Sequence, residues 1–220
     1  LPDFRSGKTG LWEKFDPDVY ASLNAFRYNP TNFYNWLFGF LKDFPQSEPN
    51  PAHKALAVLE KQCLIKTIIT QNVDGLHQVA GSETVIEVHG SMQSFTCIGC
   101  YKKYQDDTGE YQRFVQKKEI PVCEDCSQVL KPDVILFGEQ MPVKPWRLAE
   151  NATMKADLFI VVGSSLEVMP VATLPAKASN NRARIIVLNN EPTYIDSKAE
   201  VVINENVEDS LPKILTEIGL

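Results

Sequence analysis

Hydrophobic residues in this chain gather in short continuous runs rather than in alternation with polar ones. Positions 64–70 (LIKTIIT), 157–163 (DLFIVVG) and 183–190 (ARIIVLNN) each read as an apolar strand bounded by polar or turn residues. Shorter runs at 84–88, 133–137 and 200–204 repeat the pattern. Strands that are apolar on both faces suit a parallel sheet covered by helices on both sides, because a half-solvated sheet alternates instead. Helical candidates fill the intervals at 51–62, 170–181 and 207–219. The pattern predicts an α/β fold built on a doubly wound, Rossmann-like parallel sheet.

Two stretches break the rhythm. Residues 24–51 are aromatic-rich and helical up to a proline-rich exit, with Phe33, Trp36, Leu37, Phe40 and Leu41 on one face. This helix reads first as a cover over a hydrophobic patch, with a ligand-lining role as the alternative. Residues 91–131 carry four cysteines, dense charge and no long apolar run, as an inserted module would. We therefore assign 1–25, 53–92 and 130–220 to the Rossmann-like domain, and the helical insertion 26–52 with a zinc-ribbon module at 93–129 to a smaller domain.

Composition narrows the class. With 220 residues the chain is long enough for one large domain or two small ones, and 44% hydrophobic with 23% charged residues is ordinary for a globular protein. A net charge of −6 gives no basic footprint, so direct binding to nucleic acid or an anionic membrane is not expected. No apolar run approaches the ~18 residues a membrane helix needs, and the opening LPDFRSGKTG has no secretory pattern. A soluble, cytoplasmic protein is the expectation.

Four of the five cysteines form two CxxC pairs, Cys97/Cys100 and Cys123/Cys126. Each CxxC knuckle turns two thiolates toward one ion, and four sulfur ligands leave no position for a substrate water. A structural Zn2+ is the reading, holding a segment too polar to build its own core; redox dithiols or an iron–sulfur cluster are the alternatives. Cys63 stands apart and is expected to be a buried, inert core residue.

Ligands of doubly wound sheets sit outside the carboxyl ends of the strands. Three such ends here carry polar or glycine-rich sequence: TQNVDGLH after 64–70, VGSSLEV after 157–162 and NNEPT after 183–188. Gly163–Ser165 offers main-chain N–H groups and hydroxyls to a phosphate or ribose, and Asn189–Glu191 offers amide and acid groups to a ribose hydroxyl. The GxGxxG fingerprint is absent, and each stretch alone fits turn or capping chemistry as well.

Taken in order, PDFR (2–5), TQNVDGLH (70–77), VHG (88–90), the two CxxC pairs, KPDVILFGE (131–139), GSSLEV (163–168) with Pro170, and VLNNEPT (187–193) resemble the motif series of the sirtuins, the NAD-dependent protein-lysine deacylases. The series runs nearly the whole chain. The family opens with a strand, a GAGxS turn and SGIPDFR, whereas this chain starts at LPDFR. A polypeptide that lacked those residues is expected to bind NAD weakly, and an intact mass would show whether they are there.

The resemblance implies a mechanism. The acyl-lysine carbonyl oxygen attacks C1′ of the nicotinamide ribose, nicotinamide leaves, and a general base activates a ribose hydroxyl to capture the acyl carbon. His89, in VHG, matches the base, and an imidazole titrating near pH 6.5 in water suits that proton transfer; His77 and His53 read as packing. Asn72, Val73 and Asp74 would line the nicotinamide pocket and Gln71 the ribose, as buried polar groups that a cofactor supplies with partners. Asp3, Phe4 and Arg5 match the mobile cofactor loop. Gly163, Ser164, Ser165, Asn189, Asn190, Glu191 and Val207 would hold the adenosine half.

A substrate peptide carrying acetyl-lysine would add a strand between 135–139 and 165–169, using Gly138, Glu139, Leu166, Glu167 and Val168, with Val134 and Phe137 on the apolar wall of the acyl-lysine tunnel. In family members that prefer acidic acyl groups, a Tyr and an Arg three residues apart bind the extra carboxylate. Here Tyr34 is present and Leu37 stands in place of the Arg. Burying an unpaired carboxylate is costly, so acetyl or longer apolar acyl groups are expected. A monomer is expected. A mono-ADP-ribosyltransferase using the same site and a non-catalytic zinc-stabilised binding module are the competing readings.

Overall fold

The computed structural model describes residues 16–41, 47–105, 114 and 116–220. Strands among them are β1 (Ile68–Thr70), β2 (Val85–Glu87), β3 (Gly90–Cys97), β4 (Lys103–Gln105), β5 (Leu130–Val134), β6 (Leu158–Val162), β7 (Arg184–Leu188) and β8 (Val201–Ile203). Helices are α1 (Pro17–Tyr20), α2 (Leu23–Tyr28), α3 (Pro30–Leu41), α4 (Pro51–Lys61), α5 (Leu76–Val79), α6 (Val143–Lys155), α7 (Leu174–Asn180) and α8 (Val207–Glu217). None is long and apolar enough to cross a membrane.

The chain divides into two compact units. The first holds the described residues of 1–47 together with 72–75 and 89–141; the second holds 48–71, 76–88 and 142–220. These borders fall elsewhere than the sequence-based ones. Residues 89–92 and 130–141 join the cysteine-bearing unit because β5 pairs with β3.

The second unit carries the parallel strands. β1 pairs with β2, and β6, β7 and β8 form a three-stranded parallel sheet in that order. The α/β class and the parallel pairing match the expectation, but among the described residues the five strands lie in two sheets, since β1 and β6 do not pair with each other. Ile185, Val187 and Leu188 of β7 are almost fully buried, as expected for a middle strand covered on both faces. Local chemistry sets the helix ends. Asn50 caps α4, its Oδ1 accepting the His53 N–H at 2.9 Å, with Pro51 at the first helical position. Asn206 caps α8 ahead of Glu208 and Asp209, whose charges suit a helix N-terminus. Ala52 and Ala55 of α4 pack against Leu211 of α8.

The first unit centres on an antiparallel sheet ordered β4-β3-β5. Two expectations are corrected here. The run at 133–137 is not a parallel strand: β5 lies earlier, at Leu130–Val134, antiparallel to β3, and the apolar run beyond it turns away, with Ile135 donating to His89 O and Phe137 bridging Ser22. Nor is the cysteine segment coreless. Met92, Phe95, Cys97, Tyr104, Cys123 and Leu130 are buried with Phe26, Phe33, Tyr34 and Leu37. Helix α3 does cover a hydrophobic patch, with Phe26, Phe33 and Tyr34 in edge-to-face contact; the side chains of Phe40 and Leu41 lie outside the described residues.

Cys63 is corrected too. It is exposed, at φ 58, just past the end of α4.

Candidate active site and metal centre

Within the second unit, the ends of β1, β6 and β7 bring together the residues expected to hold the adenosine half and ribose. Gln71, directly after β1, donates from Nε2 to Ser164 Oγ at 3.2 Å, just past β6. Its Oε1 is buried and, among the described residues, has no hydrogen-bond partner. Gly163 sits at φ +56, with Val207 methyls 3.6 and 3.8 Å from where a Cβ would stand. The N–H of Gly163 goes to Leu188 O at 2.8 Å, so it is not one of the phosphate donors the sequence suggested. Ser164 Oγ also accepts the Leu166 N–H, and Ser165 Oγ donates to Glu167 Oε2. Asn189 is buried and its Nδ2 donates to Glu191 O at 2.7 Å, so its amide shapes the loop on which exposed Asn190 and Glu191 sit.

The first unit holds Asn72, Val73 and Asp74 together with His89. Val73 O accepts the Met92 N–H at 3.0 Å, three residues beyond His89. Gly75, at φ +73, is so close to Gln93 that an added Cβ would stand 2.4 Å from its Nε2. His89 is half-buried between β2 and β3, and its carbonyl accepts the Ile135 N–H at 2.8 Å. The next residue, Gly90, is at φ +78, where a Cβ would meet Asp133 O at 1.9 Å. Only glycine fits there, and that contact sets the direction in which the chain leaves His89. Asp74 is half-buried and Asn72 exposed, so Asn72 is not the buried amide expected. Asp3, Phe4 and Arg5 lie outside the described residues. His53 and His77 face each other in the second unit, ring centroids 4.6 Å apart.

The four cysteines of the CxxC pairs converge, all Sγ atoms lying within 4.8 Å of one another. Cys97 Sγ is 3.4 Å from Cys126 Sγ, and Cys100 Sγ is 3.6 Å from Cys123 Sγ. A tetrahedron of ~2.3 Å zinc–sulfur bonds has edges of roughly 3.8 Å, so the set fits Zn2+. The Tyr104 hydroxyl against Cys123 Sγ, at 3.1 Å, holds that thiol down at about 6. Lost hydration works against the Cys97 thiolate, but the N–H groups of Cys100 and Gly99 bring Cys97 below its usual value. Cys126 receives the Gln128 N–H yet lies against the Cys97 sulfur and is pushed up to about 12. Four adjacent negative charges cannot coexist without a cation.

The sequence pattern of the Sir2 family matches residues 1–170. The chain belongs to the Sir2 family. It is 44% identical over 220 residues to "NAD-dependent protein deacylase 2" of Archaeoglobus fulgidus, covering 99% of this chain and 85% of that protein. A solved structure of Sir2 enzymes aligns with a TM-score of 0.92 at 42% identity, over 99% of this chain and 86% of that one. The structure of Sir2Af2 bound to a myristoylated histone peptide aligns at 0.83 and 40%, over 92% of this chain and 85% of that one.

In this Sir2 chain, the two segments expected to pair with a substrate peptide lie one in each unit. In 135–139, Phe137 donates its N–H to Ala21 O and its carbonyl accepts the Leu23 N–H, both at 3.0 Å, and the residue is 38% exposed. Gly138 is at φ +77. Val134 packs against the first unit's core. In the second unit Leu166 is buried at φ 56, Val168 O accepts the Ala172 N–H, and Glu167 is exposed. Sequence reasoning missed Lys131, a buried charge in that Sir2 motif; the signal was a Lys beside an apolar run with an acid eight positions on.

Proposed function

We propose that the chain is an NAD-dependent protein-lysine deacylase that removes acetyl or longer apolar acyl groups, producing nicotinamide and O-acyl-ADP-ribose. The observation that carries the reading is the buried Gln71 Oε1, unpartnered among the described residues, at the joined ends of β1 and β6. Such an acceptor costs about 1–3 kcal/mol unless a donor reaches it, and a ribose hydroxyl is a donor that fits. NAD, when bound, supplies a ribose carbon made electrophilic by nicotinamide as leaving group.

The chain's own residues do the rest. Gln71 and Ser164 orient the ribose, while Ser165, Asn190, Glu191 and Val207 hold the adenosine half. Asn72, Val73 and Asp74 receive the nicotinamide, the Asp74 carboxylate accepting from its carboxamide. His89 takes the proton from the ribose hydroxyl. Asp3, Phe4 and Arg5 are assigned to the cofactor loop on the family's pattern.

Apolar acyl preference follows from Tyr34 and Leu37. The Tyr34 hydroxyl donates to Leu130 O inside the core and Leu37 is buried, so neither offers a charge to an acyl carboxylate. The single Zn2+ is structural, and the working unit is proposed to be a monomer in the cytoplasm.

The test is turnover of an acetyl-lysine peptide with and without NAD, with a succinyl-lysine peptide as comparison. NAD-dependent release of nicotinamide and O-acetyl-ADP-ribose is expected. His89→Ala should slow it by about 10²–10⁴, the usual weight of a general base. Unchanged turnover in His89→Ala would remove that assignment, and ADP-ribose left on protein would favour transferase chemistry.

A further inference from the structure

Lys131 is 9% exposed, and its ammonium has three partners: Pro132 O at 3.0 Å, Val134 O at 2.7 Å and Glu139 Oε2 at 3.0 Å. A lysine ammonium has three donors, so every one is used. Two acceptors lie on Lys131's own strand and the third lies across a turn. The Glu139 carboxylate in turn accepts the Leu136 N–H at 3.0 Å, while the Glu139 N–H returns to Leu136 O at 3.0 Å. Leu136, 5% exposed, is thus held at both of its main-chain groups by one residue.

Buried ion pairs contribute little net stability compared with apolar residues of similar size, so a pair of this kind is better explained by the geometry it specifies. What it specifies is the turn from Leu136 to Glu139. That turn carries Phe137 outward and places Gly138 at φ +77. Among the described residues no hydrogen bond engages the Gly138 main chain. Upstream, the strand is tied separately, Asp133 accepting from Ser94 Oγ at 2.6 Å and Thr96 Oγ1 at 2.5 Å.

We propose that Lys131 and Glu139 are positioning residues for the acyl-lysine peptide: their ion pair fixes the Leu136–Glu139 turn as a preformed edge for the peptide main chain. Neither side chain touches the substrate. The inference rests on the deacylase reading and names the device that shapes its peptide site. Preorganisation lowers the ordering cost of binding, so loosening the turn weakens peptide affinity and leaves the chemical step in place. His89 is held from Ile135, ahead of the turn, and so keeps its place.

Binding of a fluorescein-labelled acetyl-lysine peptide is measured by anisotropy, beside KM and kcat, for wild type, Lys131→Met, Lys131→Arg and Glu139→Gln. Lys131→Met is expected to weaken peptide binding and raise the peptide KM about tenfold, with kcat at saturating peptide and the NAD KM within about twofold. Lys131→Arg, keeping the charge, should recover most of the loss, and Glu139→Gln should fall between. Peptide affinity within about twofold of wild type in both Lys131→Met and Glu139→Gln overturns the proposal, as does an equal loss in the NAD KM, the mark of general damage. If Lys131→Met does not fold, Glu139→Gln and Lys131→Arg decide by the same criteria. A wild type that binds the peptide but gives no NAD-dependent turnover refutes the deacylase reading and leaves the clamp to be judged by anisotropy.

Discussion

Tyr34 shows how one side chain can hold two readings until its neighbours are known. In the sequence it stands three residues from Leu37, the spacing at which the sirtuin resemblance leads one to look for a Tyr–Arg pair that would bind an acidic acyl group. In the structure it is 1% exposed, its hydroxyl donates to Leu130 O at 2.5 Å, and its ring meets Phe114 edge-on. Burial pushes its phenol well above 10. A phenol whose pKa is raised by folding supports the fold fully below the unfolded value of about 10 and loses that support as pH climbs toward the folded value. Urea titrations should show wild type weakening above pH 10, and Tyr34→Phe should lack that alkaline loss. At neutral pH the variant should be about 1–3 kcal/mol less stable, because Leu130 O is left without its donor. A variant as stable as wild type at pH 7 would mean the bond contributes nothing.

At the scale of elements, helix ends and small-residue faces were the hardest to read. Helix α4 ends with Cys63 donating to Glu60 O at 2.8 Å and Leu64 to Leu59 O at 2.9 Å. This wrap requires a left-handed residue, which glycine fills without steric cost. Cys63→Gly is therefore expected to stabilise by a few tenths to about 1 kcal/mol, the relieved strain being partly offset by the freer unfolded chain. A rise in Tm would show it, and a fall would mean the thiol packs usefully. Helix α6 escaped the hydrophobic pattern for a related reason. Its buried residues are Ala149 and Thr153, and Thr153 satisfies its hydroxyl on Ala149 O at 2.8 Å. A stripe of small and hydroxylated residues has too little apolar contrast to register.

At the scale of the whole molecule, zinc is expected to be part of the folded state. The four sulfurs join the ends of β3 and β5 to segments that share the first unit's aromatic core. Removing the ion should therefore lower Tm and loosen near-UV dichroism, and one Zn2+ per chain should be recovered by metal analysis. Acidification should release it, because thiolate ligands must be deprotonated to bind. A chelated protein with unchanged Tm and dichroism would make the cluster dispensable.

The α/β class, the cysteine ligands and the family were legible in the sequence because each rests on local order: apolar runs, CxxC spacing, motifs in series. At the strand ends that the ligand rule singles out, Gln71 and Ser164 are hydrogen-bonded and Gly163 is tied to Leu188. Several features could be decided only by tertiary structure. Pairing with β3 drew β5 out of the parallel set, packing among aromatic rings turned Tyr34 inward, and a carboxylate eight residues away made Lys131 a buried clamp. Local pattern reports what a residue can bury or ligate. Which partner it meets depends on contacts between segments distant in sequence, and those exist only once the chain has folded.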